Sequence, residues 1–115
     1  MITEPAYNVQ LWCGLKEGYD GITHSITEVE EVCQKYVNQQ KTCITVTPTK
    51  FIYVDGKEEG FVIGFITYPR FTKTKEQTLQ EAIDLGKILL VAFKQFRLTV
   101  TTPDLSIMLE ADKDK

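Results

Sequence analysis

The chain has 115 residues, 43% hydrophobic and 25% charged, with a net charge of −3; that length supports one core, and the composition excludes disorder and collagen-like sequence. No apolar run reaches the roughly 18 residues of a membrane span, and residues 1–6 lack the cationic-then-apolar order of a signal peptide. The acidic balance argues against general nucleic-acid binding, which needs clustered Lys and Arg to neutralise phosphates.

Residues 1–6 and the polar tail Ala111–Lys115 read as loose ends of a single domain spanning 1–115. Between Tyr7 and Leu15 the pattern alternates, with Tyr7, Val9, Leu11, Cys13 and Leu15 on one face, which predicts a half-buried strand. The glycine-spaced stretch Gly14–Gly21 (GLKEGYDG) fits neither regular period and reads as a loop. Ser25 stands three residues before Glu28, the spacing of a capping box, and Ile26, Val29, Val32, Cys33, Tyr36 and Val37 then recur at helical spacing. A first helix is expected over about 26–40.

Thr42–Thr47 alternates again, Pro48 interrupts or bends the strand, and Lys50–Val54 resumes it. Asp55-Gly56 signals a turn, extended by Lys57-Glu58-Glu59-Gly60 into a charged hairpin tip. Phe61–Tyr68 is apolar on both sides and suits a central strand. Leu79, Ala82, Ile83, Gly86, Leu89, Leu90, Phe93 and Phe96 form one stripe of a second helix over about 74–96, all of it core. Gly86 on that stripe costs roughly 1 kcal/mol in helix propensity relative to Ala and marks a close approach. Arg97–Thr101 is a strand, Thr102–Asp104 a turn, and Leu105–Glu110 a short final strand.

This order, β-α-β-β-α-β with a short C-terminal strand, describes an α+β, ferredoxin-like fold: an antiparallel sheet with two helices on one face. A chain this short has no third layer, so Trp12, Val62, Ile66 and Tyr68 are expected on a sheet face that nothing covers. Exposed apolar sheet surface marks an interface, and self-association follows as the expectation.

The βαββαβ unit from about Tyr7 to Leu109, with its charged excursion between the second and third strands, resembles the PII signalling proteins and the CutA-like proteins. The resemblance implies a homo-oligomer, a trimer, with small ligands held in clefts between subunits. The hairpin Val54–Phe61 (VDGKEEGF) is much shorter than the nucleotide-gripping loop of PII proteins, so no family site residue carries over.

Candidate ligand contacts come from two segments. In GLKEGYDG and the helix start beyond it, glycine amides and a helix N-terminus suit an anion, with Lys16, Tyr19 and His24 adding a charge, a stacking face and a titratable group. In Tyr68-Pro69-Arg70-Phe71, Arg70 suits a carboxylate or phosphate, and Tyr68 or Phe71 suits stacking. Arg97 is the only other arginine in the chain. The dinucleotide fingerprint and the phosphate-loop motif are absent, and no cofactor is expected. His24 is the single histidine, so no metal site and no catalytic residue are assigned. Cys13, Cys33 and Cys43 lack CxxC spacing; an odd count fits a reducing cytoplasm, and buried filling is their expected role.

The expectation is a non-enzymatic, cytoplasmic homo-oligomer that binds a small anionic, nucleotide-like ligand, with regulation as its role. Two alternatives stand beside it. One is a protein-interaction module such as a small regulator or phage-encoded inhibitor; the other is a small hydrolase or phosphodiesterase using His24 with Asp20.

Overall fold

Residues 1–70 and 72–112 are described by the computed structural model of the chain. Phe71, expected beside Arg70, and positions 113–115 of the polar tail lie outside the described residues.

The elements run β1 (Val9–Gly14), α1 (Ile26–Gln40), β2 (Thr45–Tyr53), β3 (Gly56–Phe65), α2 (Lys75–Ala92), β4 (Arg97–Thr101) and β5 (Ser106–Glu110). Every strand pair is antiparallel, in the order β2-β3-β1-β4-β5. This is the α+β, ferredoxin-like layout that the sequence predicts, extended by β5 beyond β4.

Both helices begin on a capping box. The Ser25 and Thr74 side chains accept from the Glu28 and Gln77 amides, and the Glu28 and Gln77 side chains accept from the cap amides in return. The donors at each helix start are therefore already partly satisfied. The second helix is shorter than its periodicity predicts. It stops at Ala92, Lys94 turns left-handed at φ 50°, and the Gln95 amide folds back onto the Leu90 carbonyl at 3.0 Å. Phe93 is thereby buried as expected, whereas Phe96 is turned out and is 52% exposed.

Pro48 does not break the second strand. β2 lies at the sheet edge, where a missing N–H costs no ladder bond, and Pro48 pairs opposite Phe61. The charged stretch Lys57–Gly60 is not a tip either. The turn is only Val54-Asp55, and Tyr53 pairs with Gly56, Ile52 with Lys57, Phe51 with Glu58 and Lys50 with Glu59. Sequence reading places these charges in a loop because they lack apolar alternation, but on a ribbon with both sides wet that alternation is not required.

The core lies between the helices and one sheet face. Val9, Leu11 and Cys13 of β1, Phe61, Ile63 and Phe65 of β3, and Leu98 and Val100 of β4 meet Val29, Cys33 and Tyr36 of α1 and Ala82, Leu85, Leu89 and Leu90 of α2. Tyr36 donates its hydroxyl hydrogen to the Glu81 carbonyl at 2.9 Å, tying the helices together. Gly86 marks the close approach expected of it: a methyl group there would stand 2.6 Å from Leu109 Cδ1. Cys13 and Cys33 are buried filling, and desolvation pushes their thiols up to about 12 and about 11. Cys43 departs from expectation; it precedes β2 and is exposed.

The second sheet face has no layer over it. Trp12 and Val62 pair across its centre, flanked by Thr47 and Thr99. Trp12 is half-buried, and its indole N–H donates to Thr101 Oγ1 at 3.0 Å. Ile66 and Tyr68 lie past the end of β3, so this face is less apolar, and richer in threonine, than the sequence suggests. Among the described residues no helix is long and apolar enough to cross a membrane.

Candidate ligand-binding cleft

At one end of the sheet, Gly14 closes β1 opposite Gly60 of β3. Gly14 leaves no side chain on the pleat there, and a cleft of about 520 Å³ opens beside it, within the size range of small-molecule sites. Its walls come from three segments: Lys16, Gly18 and Tyr19 from the loop after β1, Tyr53, Lys57 and Glu58 from the β2–β3 hairpin, and Gln95, Phe96 and Arg97 leading into β4.

The loop after β1 is better built than its glycines suggest. Lys16 and Thr23 form a bridge, the Glu17 amide donates to the Ile22 carbonyl at 2.8 Å, and the His24 amide donates to the Leu15 carbonyl at 2.8 Å. The Gly18 and Gly21 amides, expected to face a ligand, donate instead to the Lys94 and Glu17 carbonyls. Gly18 is left-handed at φ 53°, and the Phe96 ring packs directly over it, 3.2 Å from where a Cβ would stand. Tyr19 leans on the same ring, with centroids 5.3 Å apart. Buried Gln95 locks the far side, donating from Nε2 to the Lys16 carbonyl at 2.7 Å and leaving Oε1 over Gly14.

Glu58 is the one carboxylate on this lining, against Lys16, Lys57 and Arg97. On β3 it shares the uncovered face with Gly60 and Val62, and its Oε2 comes within 3.3 Å of the point where a Gly14 side chain would begin. Among the described residues no ion pair or hydrogen bond engages it. The cleft thus offers aromatic rings, a cationic rim and one uncommitted anion.

The sequence-derived candidates divide. Lys16, Tyr19 and Arg97 converge on the cleft. His24 stands behind its loop, with Nδ1 2.6 Å from Glu28 and Nε2 2.7 Å from Glu17, its ring edge-on to Phe93 at 5.0 Å. The Glu28 contact leads in raising the His24 pKa above 6.5, with Glu17 adding to it against partial burial; the same contact, with the Ser25 amide, lowers that of Glu28. Asp20, expected as its partner in a hydrolase, is not among these contacts. Tyr68 lines a separate hollow of about 410 Å³ at the opposite end of the sheet, with Cys43 Sγ 3.4 Å from its hydroxyl; that hydrogen bond leads in raising the Tyr68 pKa. Arg70 follows in the adjoining turn. Within one chain Arg70 and the loop thus lie at opposite ends of the sheet: β3 runs antiparallel to β1, so the end of one strand lies beside the start of the other.

Tyr53, Lys57, Glu58, Gln95 and Phe96 are the lining residues that sequence reading misses. For Glu58 a signal was present: counting alternate residues back from Val62 puts it on the uncovered face.

No protein-family model matches the chain, and no curated protein matches it in sequence. Two solved structures share its fold. A phage SAM lyase in complex with S-methyl-5′-thioadenosine superposes with a TM-score of 0.82 at 17% identity, over 98% of this chain and 95% of that one. A phage SAM lyase in the apo state gives 0.73 at 18% identity, over 92% and 90%. The ferredoxin-like layout that suggested PII and CutA proteins is thus the layout of these lyases. The expectation of a non-enzymatic binder, with its interaction-module and His24-hydrolase alternatives, is corrected by this finding, since the chains that share the fold almost end to end are enzymes, one of them holding a small nucleoside.

Proposed function

We propose that this chain is a lyase that splits S-adenosylmethionine, or a closely similar sulfonium nucleoside, releasing S-methyl-5′-thioadenosine. The observation that carries the reading is the uncommitted Glu58 carboxylate in an aromatic-walled cleft of nucleoside size; the shared fold supports it. Tyr19 and Phe96 supply ring faces for the purine, Lys16 and Arg97 supply donors to ribose hydroxyls and the amino-acid carboxylate, and Glu58 takes the ammonium end.

An internal nucleophile can cleave the substrate without water. The substrate's own carboxylate oxygen reaches the carbon bonded to sulfur through a five-membered ring; as that C–O bond forms, the C–S bond breaks and its electron pair leaves with sulfur as a neutral thioether. Nothing is oxidised or reduced, and the second product is a lactone. The protein's part is to fold the amino-acid tail so that the oxygen meets the carbon opposite sulfur, which is a positioning effect. The cleft opens on the uncovered sheet face, and the same reading makes the working unit a homo-oligomer, a trimer in the PII-like manner, in which a neighbouring copy completes the wall.

Purified protein incubated with S-adenosylmethionine is expected to release S-methyl-5′-thioadenosine, followed by liquid chromatography. Glu58→Gln is expected to lower kcat/KM about hundredfold with an unchanged circular-dichroism spectrum. A wild type that releases none, or a variant with full turnover, sinks the reading.

A further inference from the structure

His24 lies outside the cleft, and both of its ring nitrogens are engaged. Its two ring nitrogens stand 2.6 Å from Glu28 and 2.7 Å from Glu17. An ionised carboxylate can only accept, so two carboxylates on two ring nitrogens require a hydrogen on each, which is the imidazolium form. The ring thereby joins two segments: Glu17 belongs to the loop after β1, between Lys16 and Gly18 of the cleft wall, and Glu28 belongs to the first turn of α1. Behind the ring is Phe93, the C-cap of α2, an uncharged ring steeply inclined to it. Glu17 and Glu28 are thus the charged groups that face it.

Loss of the proton removes one of the two donors and leaves two carboxylates looking at each other across a neutral ring. The backbone ties of the loop remain at its base, including Lys16–Thr23 and the bonds of Glu17 to Ile22 and of His24 to Leu15. What changes is the direction in which Glu17, and with it the neighbouring Lys16 and Gly18, is drawn.

We propose that His24 is a positioning residue: bridged between Glu17 and Glu28 as the imidazolium, it draws the loop after β1 onto α1 and so fixes Lys16 and Tyr19 in the cleft wall, and deprotonation releases them. The consequence for ligand binding rests on the function proposed above; the consequence for the loop does not. The sign follows from the direction of the His24 shift. A pKa raised on folding above 6.5 means that the clamp contributes fully below pH 6.5 and is lost as the pH rises through the folded-state value. At the acid end the lowered pKa of Glu28 sets the limit, and its share is lost as the pH falls through that value.

With one histidine in the chain, nuclear magnetic resonance follows its ring without ambiguity. The expected result is a ring titration with a midpoint above 6.5, and amide signals of Gly18 and Gly21 that shift with the same midpoint. Glu17→Gln is expected to lower that midpoint, and His24→Gln to abolish the amide response. S-methyl-5′-thioadenosine, titrated calorimetrically, is expected to bind roughly tenfold more weakly above the midpoint, the effect of one lost charge-assisted hydrogen bond. Loop amides that ignore the His24 titration overturn the proposal, whatever the ligand does. If instead the amides respond and the nucleoside fails to bind at any pH, the clamp stands and the lyase reading falls.

Discussion

Gly60 shows how a single missing side chain shapes the sheet beside the cleft. Facing Gly14 across the β1–β3 ladder, it lies beneath the Phe51 ring, and a methyl group there would meet that ring and stand 2.5 Å from the Cys13 carbonyl oxygen. The ring can swing away, but the carbonyl belongs to the central ladder and cannot. Gly60→Ala is therefore expected to destabilise the fold by about 1–3 kcal/mol, the usual cost of overpacking, read as a lower urea midpoint with an unchanged slope. An unaltered midpoint would show that the ladder yields more easily than its geometry implies. The sequence records Gly60 as a turn residue, because glycine beside charges reads that way; its place opposite Gly14 and beneath the Phe51 ring depends on strand register, which no local pattern encodes.

Elements differ in how far the chain announces them. The first helix begins and ends where the sequence puts it because two independent signals coincide: the Ser25–Glu28 box at its start and an apolar stripe through Val29, Cys33 and Tyr36. The second helix has the longer stripe and the poorer end, since Phe96 falls on the stripe's phase while left-handed Lys94 has already turned the chain. Periodicity continues past a helix whose stop depends on a tertiary lock, here buried Gln95 donating to the Lys16 carbonyl. Legibility of the site follows the same division. Lys16, Tyr19 and Arg97 stand out as residue types, whereas Glu58 hides in a run of charges that only pairing sorts onto faces. The α1 cap also bears on His24, for Glu28 accepts from the Ser25 amide and hydroxyl through Oε1 and contacts the imidazole through Oε2. Ser25→Ala removes one oxygen from this arrangement and is expected to cost about 1 kcal/mol, or roughly 4 °C in Tm for a domain of this size. Differential scanning calorimetry reads the shift, and a Tm equal to wild type would mean that solvent replaces the cap without loss.

On the scale of the whole molecule, the decisive fact is the asymmetry of the sheet. One face carries both helices and a continuous core; the other carries Trp12 and Val62 among threonines, and the cleft opens at its end. Threonine on an uncovered face is compatible with water and with a packed interface alike, so composition does not decide between them. The cleft does lean one way. Its floor is the open face itself, its Tyr19 side is 73% exposed, and a nucleoside seated there keeps one side bare unless something closes over it, whereas small-molecule sites bury most of their ligand. In the oligomer proposed above, a second copy of the chain, packed sheet against sheet, would supply that closure. Val62→Glu tests this without touching the core, because Val62 points away from the helices and its loss leaves Phe61, Ile63 and Phe65 in place. Sedimentation velocity is expected to show wild type at a multiple of 13.1 kDa and the variant near the monomer mass, with an unchanged far-ultraviolet circular-dichroism spectrum and sharply reduced release of S-methyl-5′-thioadenosine. A wild type that sediments as a monomer and still turns over substrate would place the whole reaction within one chain and remove the interface from the account.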